Sequence, residues 1–242
     1  MEADADVSFC ATAMPVGKTY AIYYGWLSDD ESGEPNARAR ALANLRLPVL
    51  VANYSAAPPA CHVNLSPQVL SLMRDAGTAV FAYIATNWGG AERRRTLRAI
   101  DDYLEAGVDG VFFDEADSLC TDAKLEYYAA LAARVRAKGG RIILNAGVSQ
   151  CGEKIMELCD FLMVEHAWRE ARTRSPWLRR YPTERVMGVS SNEENAMGYA
   201  VDEQRAIEDT REAWERGVGW HTSTNRYIEL PEWFGRYVSA VE

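Results

Sequence analysis

Three acids sit at positions where they could act together. Asp114 and Glu115 directly follow Val-Phe-Phe at 111–113, and Glu165 directly follows Phe-Leu-Met-Val at 161–164. An acid at the end of an apolar run is costly to bury without a purpose. Two carboxyl groups in different surroundings can divide one task. One stays ionised as nucleophile or general base, and the other is held protonated as general acid. That division suits hydrolysis of a glycosidic bond, with the carboxyls about 5 Å apart for retention and about 6.5–9.5 Å apart for inversion. Four of the seven tryptophans, Trp26, Trp88, Trp168 and Trp220, fall near the ends of similar apolar runs. Indole faces stack well on the C–H faces of sugar rings.

Such residues need a frame that gathers them. Eight short segments rich in β-branched and aromatic residues recur at 20–26, 48–54, 79–86, 110–114, 141–146, 161–165, 185–190 and 218–222. Continuous apolar runs suit strands buried on both faces of a parallel sheet. Between them lie helical patterns at 68–75, 91–105, 122–138 and 202–216, most followed by a glycine, with a stubby helix around 153–158. Ser66-Pro67 reads as an N-cap followed by proline in the first turn. The strand starts lie 20 to 33 residues apart, about one βα unit. Eight alternating units predict the α/β class and a single (β/α)8 TIM-type barrel spanning 1–242, with 1–17 as an N-terminal extension. A doubly wound open sheet would carry G-x-G-x-x-G after its first strand. Here that strand runs into Tyr-Tyr-Gly-Trp.

In a barrel of this kind the chemistry sits at the carboxyl ends of the strands. The candidate substrate contacts are therefore Tyr23, Tyr24, Trp26, Asn53, Tyr83, Trp88, Asn145, His166, Trp168, Trp220 and His221, around the catalytic candidates Asp114, Glu115 and Glu165. Several have plainer readings. The three tyrosines can be barrel core, and the two histidines polar pocket wall. Asp117 reads as a helix cap and Asp109 as a turn residue at the barrel bottom. Strand alternation sends Asp114 and Glu115 to opposite sides unless the strand breaks between them.

Composition bounds the partners. The 35 acids exceed the 26 bases, for a formal net charge of -9, which argues against nucleic acid. No apolar run is long enough for a membrane helix. Only four bases are lysines, none at a strand end, which disfavours Schiff-base chemistry. The five cysteines include no C-x-x-C pair and read as free buried thiols. The first 15 residues lack the pattern of a secretory leader. The expected location is cytoplasmic if the chain is complete as written and extracellular if it is a processed domain. A monomer is expected.

The Tyr-Tyr-Gly-Trp at 23–26, Gly-Val-Asp-Gly-Val-Phe-Phe-Asp-Glu at 107–115, Ile-Leu-Asn-Ala-Gly at 143–147 and Val-Glu at 164–165 resemble the spherulin-4-like proteins. These are related to glycoside hydrolase families 114, 135 and 166. The resemblance implies a (β/α)8 barrel and endo-acting hydrolysis of α-1,4-linked galactosamine or N-acetylgalactosamine polymers. It puts Asp114 and Glu115 at the catalytic strand-4 position, Glu165 at the acid ending strand 6 and Asn145 at the site-lining asparagine of strand 5. Such a reaction needs no cofactor or metal. Glu165 and Asp114 are the favoured pair, with Glu115 holding charge and geometry. Two alternatives stand beside it. One is a magnesium-dependent barrel enzyme using Asp114, Glu115, Asn145 and Glu165 as oxygen ligands. The other is a non-catalytic carbohydrate-binding protein.

Overall fold

Eight parallel strands pair in strict chain order. They are β1 (Ala21–Tyr23), β2 (Val49–Ala52), β3 (Ala79–Ala85), β4 (Gly110–Asp114), β5 (Arg141–Asn145), β6 (Phe161–Met163), β7 (Val186–Ser191) and β8 (Trp220–Thr224). This computed structural model describes residues 17–29, 32–52, 64–116, 121–147, 152–192 and 196–242. Asn53, Tyr54, Asp117, His62, Cys10, Cys61, Cys120 and Cys151 lie outside them. Lys18 closes the ring at the bottom. Its N–H donates to the Gly219 carbonyl (2.9 Å), and its carbonyl accepts from the His221 N–H (3.0 Å). The fold is the expected (β/α)8 barrel of the α/β class. Among the described residues, no helix is long and apolar enough to cross a membrane.

Helices α1 (Ala37–Asn44), α2 (Pro67–Asp75), α3 (Arg93–Ala106), α4 (Asp122–Ala137), α5 (Ala171–Arg174), α6 (Glu203–Glu215) and α7 (Phe234–Val241) alternate with the strands. Their ends follow local chemistry. Asn36, Ser66, Thr121 and Asp202 cap α1, α2, α4 and α6 through side-chain oxygens that accept first-turn N–H groups. Gly107 ends α3 in the left-handed conformation, at φ 100°. The predicted helices at 68–75, 91–105, 122–138 and 202–216 correspond to α2, α3, α4 and α6. The stub near 153–158 is a 3-10 turn, Gly152–Glu157. At the barrel bottom Asp109 accepts the Val80 N–H (2.9 Å). Asp160 does the same for Ile142 (2.7 Å). Each carboxylate thereby satisfies the amide of the second residue of a neighbouring strand.

Two segments depart from expectation. Strand β8 starts at Trp220 and not at 218, because Val218 donates to the Ala213 carbonyl in the closing turn of α6. Strand β6 ends at Met163, two residues before Glu165. The β6–β7 connection then runs mostly through 3-10 turns, Glu165–Arg169, Pro176–Arg180 and Thr183–Arg185, with only the four-residue α5 among them.

Side chains alternate between two apolar layers. The inner layer includes Tyr20, Ile22, Val51, Phe81, Phe112, Ile143, Met163, Val189 and Trp220. At its base Phe161 lies edge-on to both Phe81 (6.3 Å between centroids) and Trp220 (5.6 Å). The outer layer packs the sheet on the helices. Cys159 is a free, buried thiol there, pushed up to about 12 chiefly by burial.

The outer layer also holds a buried polar chain behind β7 and β8. The His221 ring lies 2.9 Å from the Thr210 hydroxyl and 3.4 Å from that of Ser190. Thr210 continues to Tyr237 at 2.8 Å. Burial, helped by the nearby charges of Arg169 and His166, lowers His221 to about 3. An unfolded histidine titrates near about 6.5. Between these values the unfolded chain binds a proton that the folded chain refuses. Stability from this group is therefore complete above about pH 6.5 and falls by about 1.4 kcal/mol per unit on acidification toward pH 3. Denaturant unfolding of wild type and His221→Gln between pH 7 and 4 checks this. The variant should be less stable at pH 7 but lose this part of the slope. Parallel slopes would refute the assignment.

Candidate active site

Parallel pairing brings the ends of β3, β4 and β5 side by side at the mouth. Tyr83 is in register with Phe112, and Phe112 with Ile143. Two residues further along each strand, alternation turns Asp114 and Asn145 toward the same interior. There the Asn145 amide Nδ2 donates to Asp114 Oδ1 at 2.7 Å. The Tyr83 ring stands beside Asp114 from β3, and the carboxylate charge raises its pKa. Asn145 thus fixes the carboxylate from β5. Asn145 is itself buried and accepts the Gly147 N–H through Oδ1 (3.3 Å).

The strand does break between the two acids. Glu115 has φ 51°, a left-handed conformation that costs a non-glycine residue about 1–3 kcal/mol. Its carbonyl accepts the Trp88 N–H (2.7 Å). The Thr86 hydroxyl lies 2.8 Å and 2.9 Å from the Asp114 and Glu115 carbonyls. Asn87 (47°), Trp88 (49°) and Glu165 (47°) share this backbone state. The left-handed non-glycine residues of β3, β4 and β6 therefore cluster at the same end of the barrel, as strain at functional sites tends to.

Glu165 opens the 3-10 turn after β6, with its side chain 38% exposed. Its Oε1 is 4.0 Å from His166 Nδ1. The other ring nitrogen of His166 lies 2.9 Å from the Ser191 hydroxyl and 3.3 Å from that of Tyr227. A tyrosine cluster floors the mouth. The Tyr24 ring lies 5.0 Å from Tyr83 and 5.3 Å from Tyr227. Burial raises the pKa of Tyr83 first, then the Asp114 charge, then the charges of Glu115 and Glu165. Tyr24 is raised by burial, then by Asp114, its tyrosine neighbours and Glu165. All three acids thus act on one phenol.

Beside the mouth, a hollow of about 930 Å³ opens outside β1. It is lined by Tyr23, Tyr24, Trp26, Asp29, Arg38 and Ile228, among others. It does not include Asp114, Glu115 or Glu165, and Tyr24 links the two regions. Trp26 is 54% exposed there, and Trp88, on the β3 loop, is 58% exposed.

Three predicted contacts lie elsewhere. Trp168 is buried in the outer layer, where its indole N–H donates to the Ser190 hydroxyl (3.1 Å). The backbone turns away after Met163, so the tryptophan packs over Gly188 and not into the mouth. Trp220 begins β8 and is therefore at the barrel bottom, donating to the Glu184 carbonyl (2.7 Å). His221, one residue on, faces α6 and is fully buried. The later start of β8 accounts for both. Tyr227 at the mouth was not foreseen, since it lies in a loop beyond the last strand. Among the described residues, no three His, Cys, Asp or Glu side chains group to hold a metal ion.

Eight parallel strands with acids, an asparagine and tyrosines at their carboxyl ends define a (β/α)8 barrel with its candidate site in the strand-end mouth. The model of Spherulation-specific family 4 matches residues 38–241, and the chain belongs to that family, spherulin-4. The Aspergillus clavatus protein Sph3, crystallised with GalNAc, superposes with a TM-score of 0.68 at 16% identity, covering 94% of this chain and 98% of that one. Aspergillus fumigatus Ega3, in complex with galactosamine, gives 0.61 at 13%, covering 91% and 96%. An endo-beta-N-acetylglucosaminidase from Cordyceps militaris gives 0.60 at 9%, covering 93% and 91%. No curated protein matches the chain by sequence.

The Asp114–tyrosine contacts can be tested directly. Phenolate absorbance in an alkaline titration should show Tyr24 and Tyr83 ionising above the usual value of about 10. Asp114→Asn removes a negative charge and should bring both down. An unchanged late phase, the part of the titration missing in Tyr24→Phe and Tyr83→Phe, would show that the carboxylate does not face these rings.

Proposed function

We propose that this protein is a glycoside hydrolase that cleaves within α-1,4-linked galactosamine or N-acetylgalactosamine polysaccharides. The observation carrying the reading is the Asp114 carboxylate, fixed by Asn145 beside the Tyr83 ring, in a mouth that also receives the charge of Glu165. Asp114 and Glu165 divide the general-acid and the nucleophile or base roles between them. One carboxyl group delivers its proton to the glycosidic oxygen as the bond to the anomeric carbon breaks. The other attacks that carbon or takes a proton from the attacking water. Glu115 contributes negative charge beside the reacting centre, and its left-handed turn shapes the end of β4.

The sugar assignment draws on two supports. Sph3 was crystallised with GalNAc and Ega3 with galactosamine. The exposed faces of Trp26 and Trp88 offer stacking surfaces. The hollow beside Tyr24 adds room for further units of a chain, which suits internal cleavage.

The test is a product assay on partially deacetylated α-1,4-galactosaminan. Wild type should release oligosaccharides of several lengths. Asp114→Asn and Glu165→Gln should each lower kcat by about 10²–10⁴-fold while leaving the unfolding midpoint close to wild type. If either variant keeps wild-type activity, the assignment of that residue fails. Saturable binding with no product over long incubation would favour a carbohydrate-binding role instead.

A further inference from the structure

The 3-10 turn carrying Glu165 is fastened more heavily than a surface connection requires. His166 reaches Ser191 and Trp168 reaches Ser190, both on β7. Arg169, the last residue of the turn, crosses to α6. Its Nη2 is 2.6 Å from Asp209 Oδ1, and its Nε is 3.1 Å from Glu212 Oε2. Its Nη1 donates to the Tyr199 hydroxyl at 2.6 Å, and that hydroxyl donates to Asp209 Oδ2 at 2.7 Å. The guanidinium also stacks over Trp168, 4.1 Å from the ring centroid.

Asp209 is fully buried. A buried carboxylate is costly unless paired, and this one is also paired with Arg205 Nε at 2.8 Å. Apolar residues could join a turn to a helix without that desolvation. What a guanidinium shared between Asp209, Glu212 and Tyr199 and stacked on an indole adds is direction, because its planar donors fix distance and angle together. The element whose direction it fixes begins at Glu165, in a left-handed conformation that persists only where its surroundings over-determine it.

We propose that Arg169, anchored by Asp209, is a positioning residue that sets the Glu165 carboxylate in the mouth. The inference rests on the reading of Glu165 as a reacting acid. It adds that helix α6, outside the barrel, controls the geometry of that acid.

The test compares Arg169→Met, Arg169→Lys and Asp209→Asn with Glu165→Gln and with Arg236→Met. The last removes another ion pair of α6, with Glu203, away from the turn. On the galactosaminan, Arg169→Met and Asp209→Asn should lower kcat about 10- to 100-fold with KM within about twofold, since a displacement of about 1 Å costs this much. Arg169→Lys should recover part of the loss. Arg236→Met should keep wild-type kcat. Crystal structures of Arg169→Met and Asp209→Asn should show the Glu165 side chain displaced or in several positions.

A folded Arg169→Met with wild-type kcat, or with Glu165 unmoved, overturns the proposal. If one variant does not fold, the other two decide on the same criteria. The two readings fail differently. Should Glu165→Gln cleave as wild type does, the catalytic assignment falls, while the crystal structures still decide whether Arg169 positions the side chain.

Discussion

The two-residue alternation of a parallel strand governs everything at the mouth. Because all eight strands run the same way, all their ends open on one face. Because side chains alternate, only every second residue can look inward. Tyr83, Asp114 and Asn145 lie on neighbouring strands at inward positions. The Asn145–Asp114 hydrogen bond follows from register alone, with no loop needed to bring the two together. A slip of one residue in β4 would turn Asp114 into the helix layer and bring Phe113 to the mouth.

Where the strands stop, regularity gives way to strain. Asn87, Trp88, Glu115 and Glu165 adopt a backbone state that glycine would take at no cost. Each is tied down by neighbours, as when Trp88 donates to the Glu115 carbonyl. Stability is thus surrendered at the mouth and recovered in the layers beneath it, where apolar residues fill both faces of the sheet.

The architecture was largely legible from the chain because apolar runs buried on both faces leave an unmistakable rhythm. The acids were legible for the same reason, standing where each run ends. The eighth strand begins two residues later than its apolar run. Val218 is as apolar as any strand residue, yet it completes the closing turn of α6, and local composition does not separate these uses. That shift carried Trp220 and His221 from the mouth to the base and the back of the barrel. Trp168 lies away from the mouth because the backbone leaves the sheet after Met163, a departure that nothing in Val-Glu-His-Ala-Trp signals. Tyr227 and the crossing from Arg169 to Asp209, 40 residues apart in sequence, are properties of the folded chain alone.

The base of the barrel has a bearing on traffic. Phe81, Phe161 and Trp220 fill the interior from below, and Lys18 and Arg141 lie over the outer rings of that group. The interior is a closed well and not a tunnel. Anything that reaches Asp114 therefore enters and departs through one opening, the mouth formed by the strand ends.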